Sequence, residues 1–362
     1  MRYILDNIDL RPKLCVWEIT SKCNMHCLHC ASDFYGPRKR GAELTTDEAL
    51  DLCRQLAELG CEKVVLSGGE AILRTDWDLI AGYLSKRKVA TSVITNGYAF
   101  DAEIAKRVHE LGMTRVGLSL DGLRHNHNLV RQNSASFERV LRAAKYICDT
   151  GVPLNIVTHI NKKNLYELEE MEDLVVSLGA AVWRLQLGSP MGSLEQHPEL
   201  MINPDDLPGI VDFVVDAKQR SRTAISVGDN IGYFSHHEEA LRATVNRDGF
   251  NFWCGCSAGC LTIGIEANGN VKGCLSLQSD DFVEGNIRDF SLAELWHRPG
   301  AFAYTRGFEI GNLKGSCQGC ELGEICRGGC TFMAYGATGS AHNNPFCMYG
   351  LHKRSLAKES LP

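Results

Sequence analysis

Sixteen cysteines in 362 residues carry the chemistry of this chain, and they are unevenly spread. Cys23, Cys27 and Cys30 fall together as Cys-x3-Cys-x2-Cys. Nine follow Trp253, at Cys254, Cys256, Cys260, Cys274, Cys317, Cys320, Cys326, Cys330 and Cys347. Cys15, Cys53, Cys61 and Cys148 stand singly, and none lies between Asp149 and Trp253. In a chain without the marks of secretion this usage reads as metal binding or catalysis, not a disulfide framework. Three thiolates this close on one loop can hold three corners of a 4Fe-4S cube and leave the fourth iron open. The competing reading is zinc, with His26 or His29 as fourth ligand, although zinc motifs usually pair two Cys-x2-Cys hooks. The ladder Cys317-x2-Cys320-x5-Cys326-x3-Cys330, with Cys347 after it, offers further ligands, and zinc ribbons bracing the fold are the alternative there.

Such ligands need a frame. From Leu14 to about Gly228 short β-branched runs alternate with helical periods, the pattern of βα units on a parallel sheet. Strands are predicted at Leu14 to Ile19, Lys63 to Leu66, Thr91 to Thr95, Arg115 to Leu120, Leu154 to Thr158 and Ala181 to Leu187. Thr45-Thr46-Asp47-Glu48 reads as a capping box, and Gly60 follows the end of that helix. Helices near Asp101 to Leu111, Phe137 to Thr150 and Leu165 to Leu178 stop at Gly112, Gly151 and Gly179.

Six repeats fall short of the eight that close a barrel. The expected fold class is therefore α/β, a partial (β/α)6 barrel with its chemistry at the C-terminal strand ends, followed by a small cysteine-rich domain held together by metal, which the resemblance given below makes an iron-sulfur domain. Ser189 to Asp206 reads as a long loop before a helix at Leu207 to Arg220. After Val227 short strands take over, with an Asn268-Gly269-Asn270 turn. The expected division is a lead-in over 1–13, the barrel over 14–228, a linker over 229–252, the cysteine-rich domain over 253–350 and a tail over 351–362.

Composition narrows the function. Lys plus Arg at 38 against Asp plus Glu at 44 gives a net charge of -6, the wrong sign for gripping a phosphate backbone, so no nucleic acid is expected. No apolar run approaches a membrane span, and the start resembles neither a signal nor a transit peptide, so a cytoplasmic protein off the membrane is expected.

The Cys23-Asn24-Met25-His26-Cys27-Leu28-His29-Cys30 segment, directly after a first strand, resembles the radical S-adenosylmethionine (SAM) superfamily. The resemblance implies the partial barrel and a SAM molecule chelated at the open iron by its amino and carboxylate groups. It also implies reductive cleavage of SAM to a 5′-deoxyadenosyl radical. Gly68, Gly69 and Glu70, ending the second strand, resemble the segment that meets the methionine amino group; Ala71 stands where the family commonly has Pro. Asn96 ends the third strand. By the same resemblance Ser119 is a candidate for the ribose hydroxyls and Arg131 for the methionine carboxylate. Turn-making and capping are the alternatives for Asn96, Asp121 and Arg131.

The C-terminal ladder, with Gly269-x4-Cys274 before it, resembles the SPASM domain, which binds auxiliary iron-sulfur clusters. In two-cluster members one cluster takes cysteines from the early segment and the Cys274 and Cys330 positions. The other takes Cys317, Cys320, Cys326 and Cys347. Cys254, Cys256 and Cys260 compete for the early place; two of them are expected to ligate, unless that cluster keeps an open iron.

The resemblance implies a substrate held near the radical, and peptide modification is the expected activity: a crosslink, an epimerisation or a backbone excision in a ribosomally made precursor. The alternatives are a small cofactor or haem precursor and, in another class, a non-enzymatic iron-sulfur electron carrier or scaffold. Expected partners are the precursor peptide, a separate leader-binding protein and an electron donor such as flavodoxin or ferredoxin. Leu275, where sulfatase maturases carry Asp after the Cys274 position, disfavours that activity. His159 and Gln186 lie at strand ends where they could face the cavity, structural roles being the commoner fate. Trp17, Trp183 and Trp253 are expected in cores, as are the four single cysteines as neutral thiols.

Overall fold

The computed structural model describes residues 9–32, 36, 41–243 and 252–359. The expected lead-in, linker and tail each run partly outside these residues. Seven parallel strands follow in chain order: β1 (Leu14–Thr20), β2 (Lys63–Gly68), β3 (Ala90–Thr95), β4 (Arg115–Ser119), β5 (Leu154–Ile160), β6 (Val182–Leu187) and β7 (Ala224–Val227). The six expected strands are present, and β7, whose four residues carry too little alternation to stand out, extends them. Cys15, Trp17 and Ile19 of β1 are fully buried, as are Val64 and Leu66 of β2, as strands covered by helices on one side and a filled interior on the other require.

The covering helices are α1 (Thr46–Glu58), α2 (Trp77–Lys86), α3 (Ala102–Glu110), α4 (Arg124–Arg131), α5 (Ser136–Asp149), α6 (Leu168–Ser177) and α7 (Leu207–Arg220). The Thr45 capping box forms, with Glu48 Oε2 accepting from the Thr45 amide at 2.7 Å. Gly60, Gly112, Gly151 and Gly179 all take left-handed angles at their helix ends. Cys15, Cys53 and Cys61 are buried thiols, the last two pushed up to about 12 by burial. Cys148 departs from expectation: it is exposed on α5, its Sγ 3.3 Å from the Leu178 carbonyl. Trp17, Trp183 and Trp253 are buried as expected.

The C-terminal part is joined to this sheet. β8 (Thr262–Ile265) pairs parallel to β1, on the side away from β2, and continues antiparallel into β9 (Asn270–Lys272) and β10 (Gly285–Asn286). One ten-stranded sheet results, in the order β10-β9-β8-β1-β2-β3-β4-β5-β6-β7, and among the described residues its two ends do not pair. No described helix is long and apolar enough to cross a membrane.

Candidate active site

The cysteine loop leaves β1 after Thr20 and is held from two directions. At the end of β2 the amides of Gly69 and Glu70 donate to the Thr20 and Lys22 carbonyls at 2.9 and 2.7 Å. A Cβ on Gly68 would overlap the Thr20 carbonyl and one on Gly69 the Lys22 carbonyl, so these glycines admit the backbone of the cysteine loop itself. From outside, Ser193 N–H donates to the Cys30 carbonyl at 2.9 Å, and Leu28 N–H to that of Val130 at 2.9 Å. Gly192, at φ +63°, passes where any Cβ would overlap Ala31. The expected long loop from Ser189 is thus three short 3-10 turns, over Gly192–Gln196, Pro198–Leu200 and Pro204–Asp206, and the first of them covers the cysteine loop. Leu28 packs there against Val130, Leu194 and Leu200.

Cys23, Cys27 and Cys30 are half-buried, unbridged, and within electrostatic reach of one another. Burial pushes the Cys27 thiol up to about 12, against the pull of the Arg131 guanidinium. Iron is what converts such thiols to thiolates. Zinc fits less well. His29 turns its Nε2 to Asp121, 3.2 Å from Oδ2, and His26 is exposed. Among the described residues no three His, Cys, Asp or Glu side chains gather tightly enough for a single metal ion. With Zn–S bonds of ~2.3 Å a tetrahedral zinc site needs sulfurs within ~4 Å of each other, whereas a cube spreads its ligands wider.

Around the loop stand the ends of β2 to β5. Glu70 is buried, and its Oε2 accepts from the Asn96 amide at 2.7 Å while Oε1 makes no hydrogen bond of normal geometry, the Thr95 hydroxyl and Ile72 amide lying close to the carboxyl. Burial pushes its carboxyl up to about 7. A buried carboxyl with one such oxygen suits an incoming ammonium group, the fit that SAM requires. Asn96 ties β3 to the loop, its Nδ2 donating to Asn24 Oδ1 at 2.8 Å while its Oδ1 accepts from the Tyr98 amide at 2.9 Å. That is the turn-making reading of Asn96. Ser119 closes β4, half-buried, with no hydrogen bond from its hydroxyl among the described residues.

Asp121 and Arg131 form a buried ion pair, Nε and Nη2 donating to Oδ2 at 2.8 and 2.6 Å. Burial alone would raise Asp121, but Arg131 and His29 outweigh it and hold the carboxyl well below its usual range. Asp121 Oδ1 accepts from the His159 amide at 2.8 Å, so the carboxylate is saturated. Two nitrogens of Arg131, Nε and Nη2, are thus committed to Asp121.

Nothing in the sequence assigns His127 a place here, and His29 enters there only as a zinc ligand. In the fold His29 stacks on His159, with ring centroids 4.8 Å apart and planes at 21°. Both ring nitrogens of the buried His159 lack partners, and burial pushes it down to about 3, so it is neutral. His127 Nδ1 accepts from the Asp121 amide at 3.1 Å and Nε2 meets Ser136 Oγ at 2.9 Å, which assigns the proton to Nε2. A histidine inside the cysteine motif is the available signal for His29; His127 has none, because its partners lie on other elements. Gln186 sits half-buried in β6 opposite His159.

The C-terminal cysteines form two groups. Cys256, Cys274 and Cys330 sense one another's charge, with Asp229 beside them. Cys317, Cys320, Cys326 and Cys347 form the other group. Cys260 lies close enough to Cys256 to feel its charge, but packs with Leu10 and Leu261; Cys254 is half-buried two residues before Cys256. The chain leaving β7 is woven between the groups: Tyr233, at φ +78°, accepts at its hydroxyl from the Cys330 amide at 3.1 Å, and the Met348 amide donates to the Gly232 carbonyl at 3.0 Å. Backbone amides of Asn344 and Gly350 donate to Cys317 Sγ and Cys347 Sγ at 3.3 and 3.4 Å, contacts that favour thiolates.

Known proteins agree with this geometry. The model of the Radical SAM superfamily matches residues 17–175, and that of the SPASM iron-sulfur cluster-binding domain matches 256–321. The chain is 30% identical over 346 residues to the "AdoMet-dependent heme synthase" of Methanosarcina barkeri, covering 93% of this chain and 97% of that protein. The chain belongs to the radical SAM superfamily. As a radical SAM enzyme with a SPASM domain it uses SAM and 4Fe-4S clusters. It is also similar to the mycofactocin maturase MftC of Mycobacterium tuberculosis, 28% identical over 96% of this chain and 86% of that one. Its fold is shared with Streptococcus suis SuiB bound to S-adenosylmethionine, with TM-score 0.73 and 19% identity, covering 94% of this chain and 77% of that one.

Proposed function

We propose that this radical SAM enzyme cleaves SAM at a cluster held by Cys23, Cys27 and Cys30 and uses the resulting 5′-deoxyadenosyl radical to abstract hydrogen from a residue of a ribosomally made precursor peptide. The observation that carries the radical step is the half-buried thiol loop facing Glu70 Oε1, which makes no hydrogen bond of normal geometry. Together they leave room for a ligand that brings an ammonium group to an open iron. Gly68, Gly69 and Glu70 take the methionine amino end, Arg131 the carboxylate, and Ser119 the ribose; Asn96 positions the loop. Cys256, Cys274 and Cys330, with Cys254 or Cys260, hold one auxiliary cluster, and Cys317, Cys320, Cys326 and Cys347 the other.

A peptide substrate is supported by the nearly full-length similarity to the mycofactocin maturase. A flavodoxin- or ferredoxin-type donor supplies the electron, and a separate protein presents the leader. The second reading, hydrogen abstraction from a haem precursor, is favoured by the similarity to the heme synthase over 97% of its length. The two part in one experiment. The reduced, reconstituted enzyme is given SAM with either a co-encoded candidate peptide or an iron porphyrin precursor, and 5′-deoxyadenosine and substrate mass are followed. A mass change in the peptide alone supports the first reading, and one in the porphyrin alone replaces it with the second.

A further inference from the structure

The segment Phe302–Arg306 is built onto the turn that carries Cys256 and Cys260. Phe302, at φ +54°, lays its ring on Gly259, where a Cβ would overlap it. Thr305 Oγ1 donates to the Ala258 carbonyl and Arg306 Nε to that of Gly259, both at 2.6 Å. Arg306 Nη1 donates to the Trp296 carbonyl at 2.6 Å. With the segment fixed at so many points, two of its donors are left over: the Tyr304 hydroxyl and Arg306 Nη2 are buried without a hydrogen-bond partner.

Both leftover donors sit beside thiols. The Tyr304 ring is held edge-on by Phe282, centroids 5.0 Å apart at 84°, and Phe282 by Tyr335 at 4.8 Å and 83°. Its hydroxyl fills the place a Cβ on Gly273 would need, one residue before Cys274. Cys256 and Cys274 act most strongly on it among charged groups, and Arg306 acts most strongly among cations on the Cys260 thiol. The Gly273 amide approaches the hydroxyl oxygen without a bond of normal geometry, so the O–H proton is unused. A buried donor left unpaired costs roughly 1–3 kcal/mol, more when charged. The Arg306 guanidinium also lies over the Trp296 and Phe302 rings, which leaves its Nη2 hydrogen unbonded. Two such costs on one short segment, one beside Cys256 and Cys274 and the other beside Cys260 on the same turn as Cys256, point to an acceptor lying among these sulfurs.

We propose that Tyr304, beside Cys256 and Cys274, and Arg306, beside Cys260, donate hydrogen bonds to the sulfurs of the cluster held by Cys256, Cys274, Cys330 and, in this proposal, Cys260, and thereby raise its reduction potential. This rests on the cluster assignment made above. Reduction adds one electron to a cluster that already carries thiolate charge, so donors to its sulfurs stabilise the reduced form more than the oxidised one. Both are positioning residues and touch no reacting atom.

The test is an EPR-monitored redox titration of the anaerobically reconstituted full chain, with its iron content, for the native protein, Tyr304→Phe and Arg306→Gln. The native chain should carry about twelve irons on four-iron arithmetic. Tyr304→Phe should keep them and lower the potential of one cluster, so that its oxidised-to-reduced ratio at a fixed potential rises about tenfold, ~59 mV for one electron. Arg306→Gln should shift the same cluster in the same direction. An unmoved potential at full iron content, or an equal shift of all three clusters, overturns the proposal. A native count near eight irons with no third signal overturns the ligand assignment as well, and the two failures are thereby told apart. If Tyr304→Phe assembles no third cluster, the native protein decides: an exchangeable proton coupled to that cluster by ENDOR in H2O and lost in D2O supports the proposal, and its absence overturns it.

Discussion

Cys23, Cys27 and Cys30 lie within eight residues of chain and stay half-buried, whereas Cys256, Cys274 and Cys330 are drawn from segments far apart, with Cys330 buried. The first group receives its shape from outside. The end of β2 docks beneath the loop, the Gly192 turn covers it, and Asn96 and the Asp121–Arg131 pair surround it. The second group lies among short helices and hairpins, such as Gly323–Cys326 and Thr331–Thr338, where the thiols are themselves part of the packing. The difference teaches where a ligand can enter. A loop shaped by its surroundings can keep one face open, but thiols that help to build their own domain must close around what they hold.

The largest effect should come from changing Cys23, Cys27 and Cys30 together to Ala. Iron should fall from about twelve to about eight atoms per chain, and 5′-deoxyadenosine formation should drop to background while the auxiliary EPR signals persist. Persistent SAM cleavage would break the division between an open and a closed site. Stripping all iron with a chelator sharpens the comparison from the other side. Limited proteolysis should then cut first within 253–350, leaving the parallel barrel, whose core is apolar, resistant. Simultaneous loss of both parts would show the ten-stranded sheet to be one cooperative unit.

Gly69→Ala tests the outside support. Its new Cβ would displace the Lys22 carbonyl, a backbone clash of about 1–3 kcal/mol, and SAM cleavage should fall tenfold or more with the auxiliary clusters intact. Glu70 adds a pH dependence. Its folded carboxyl is raised to about 7 from an ordinary 4.5, so it contributes stability below about pH 4.5 that is lost as pH rises toward 7. At about 1.4 kcal/mol per pKa unit the loss amounts to at most about 3.5 kcal/mol. Glu70→Gln should therefore raise the unfolding temperature of SAM-free protein at pH 8 but not at pH 4, and raise the KM for SAM. The smallest effect is expected for Thr45→Ala, about 1 kcal/mol in thermal unfolding from the lost cap, with no change in iron content or SAM cleavage.

Much of the site and the fold is legible in the residues alone. Cysteine spacing is local, so the Cys23 to Cys30 motif and the ladder from Cys317 stand out in the sequence, and the resemblance they carry implies the ligand sets. Helix caps are equally local, and the Thr45 box and the terminal glycines appear as the sequence implies. The limits are physical. β7 is too short for its alternation to be seen. Gly69 in the linear chain suggests room for a ligand, yet the atom that needs the room is the Lys22 carbonyl, brought there by parallel pairing of β1 with β2. Cys148 carries nothing in its sequence to show that its face of α5 meets solvent.

The residues alone carried the α/β class, through a repeating period, and the cysteine motif that resembles the radical SAM superfamily, through spacing within a few residues; the SAM contacts came from that resemblance. Tertiary structure alone decided the stacking of His29 on His159, the commitment of Arg131 to Asp121, the pairing of β8 with β1, and the two unused donors at Tyr304 and Arg306. Those contacts join residues from ten to more than two hundred positions apart. Their partners are set by how whole elements pack, and neither periodicity nor spacing records that.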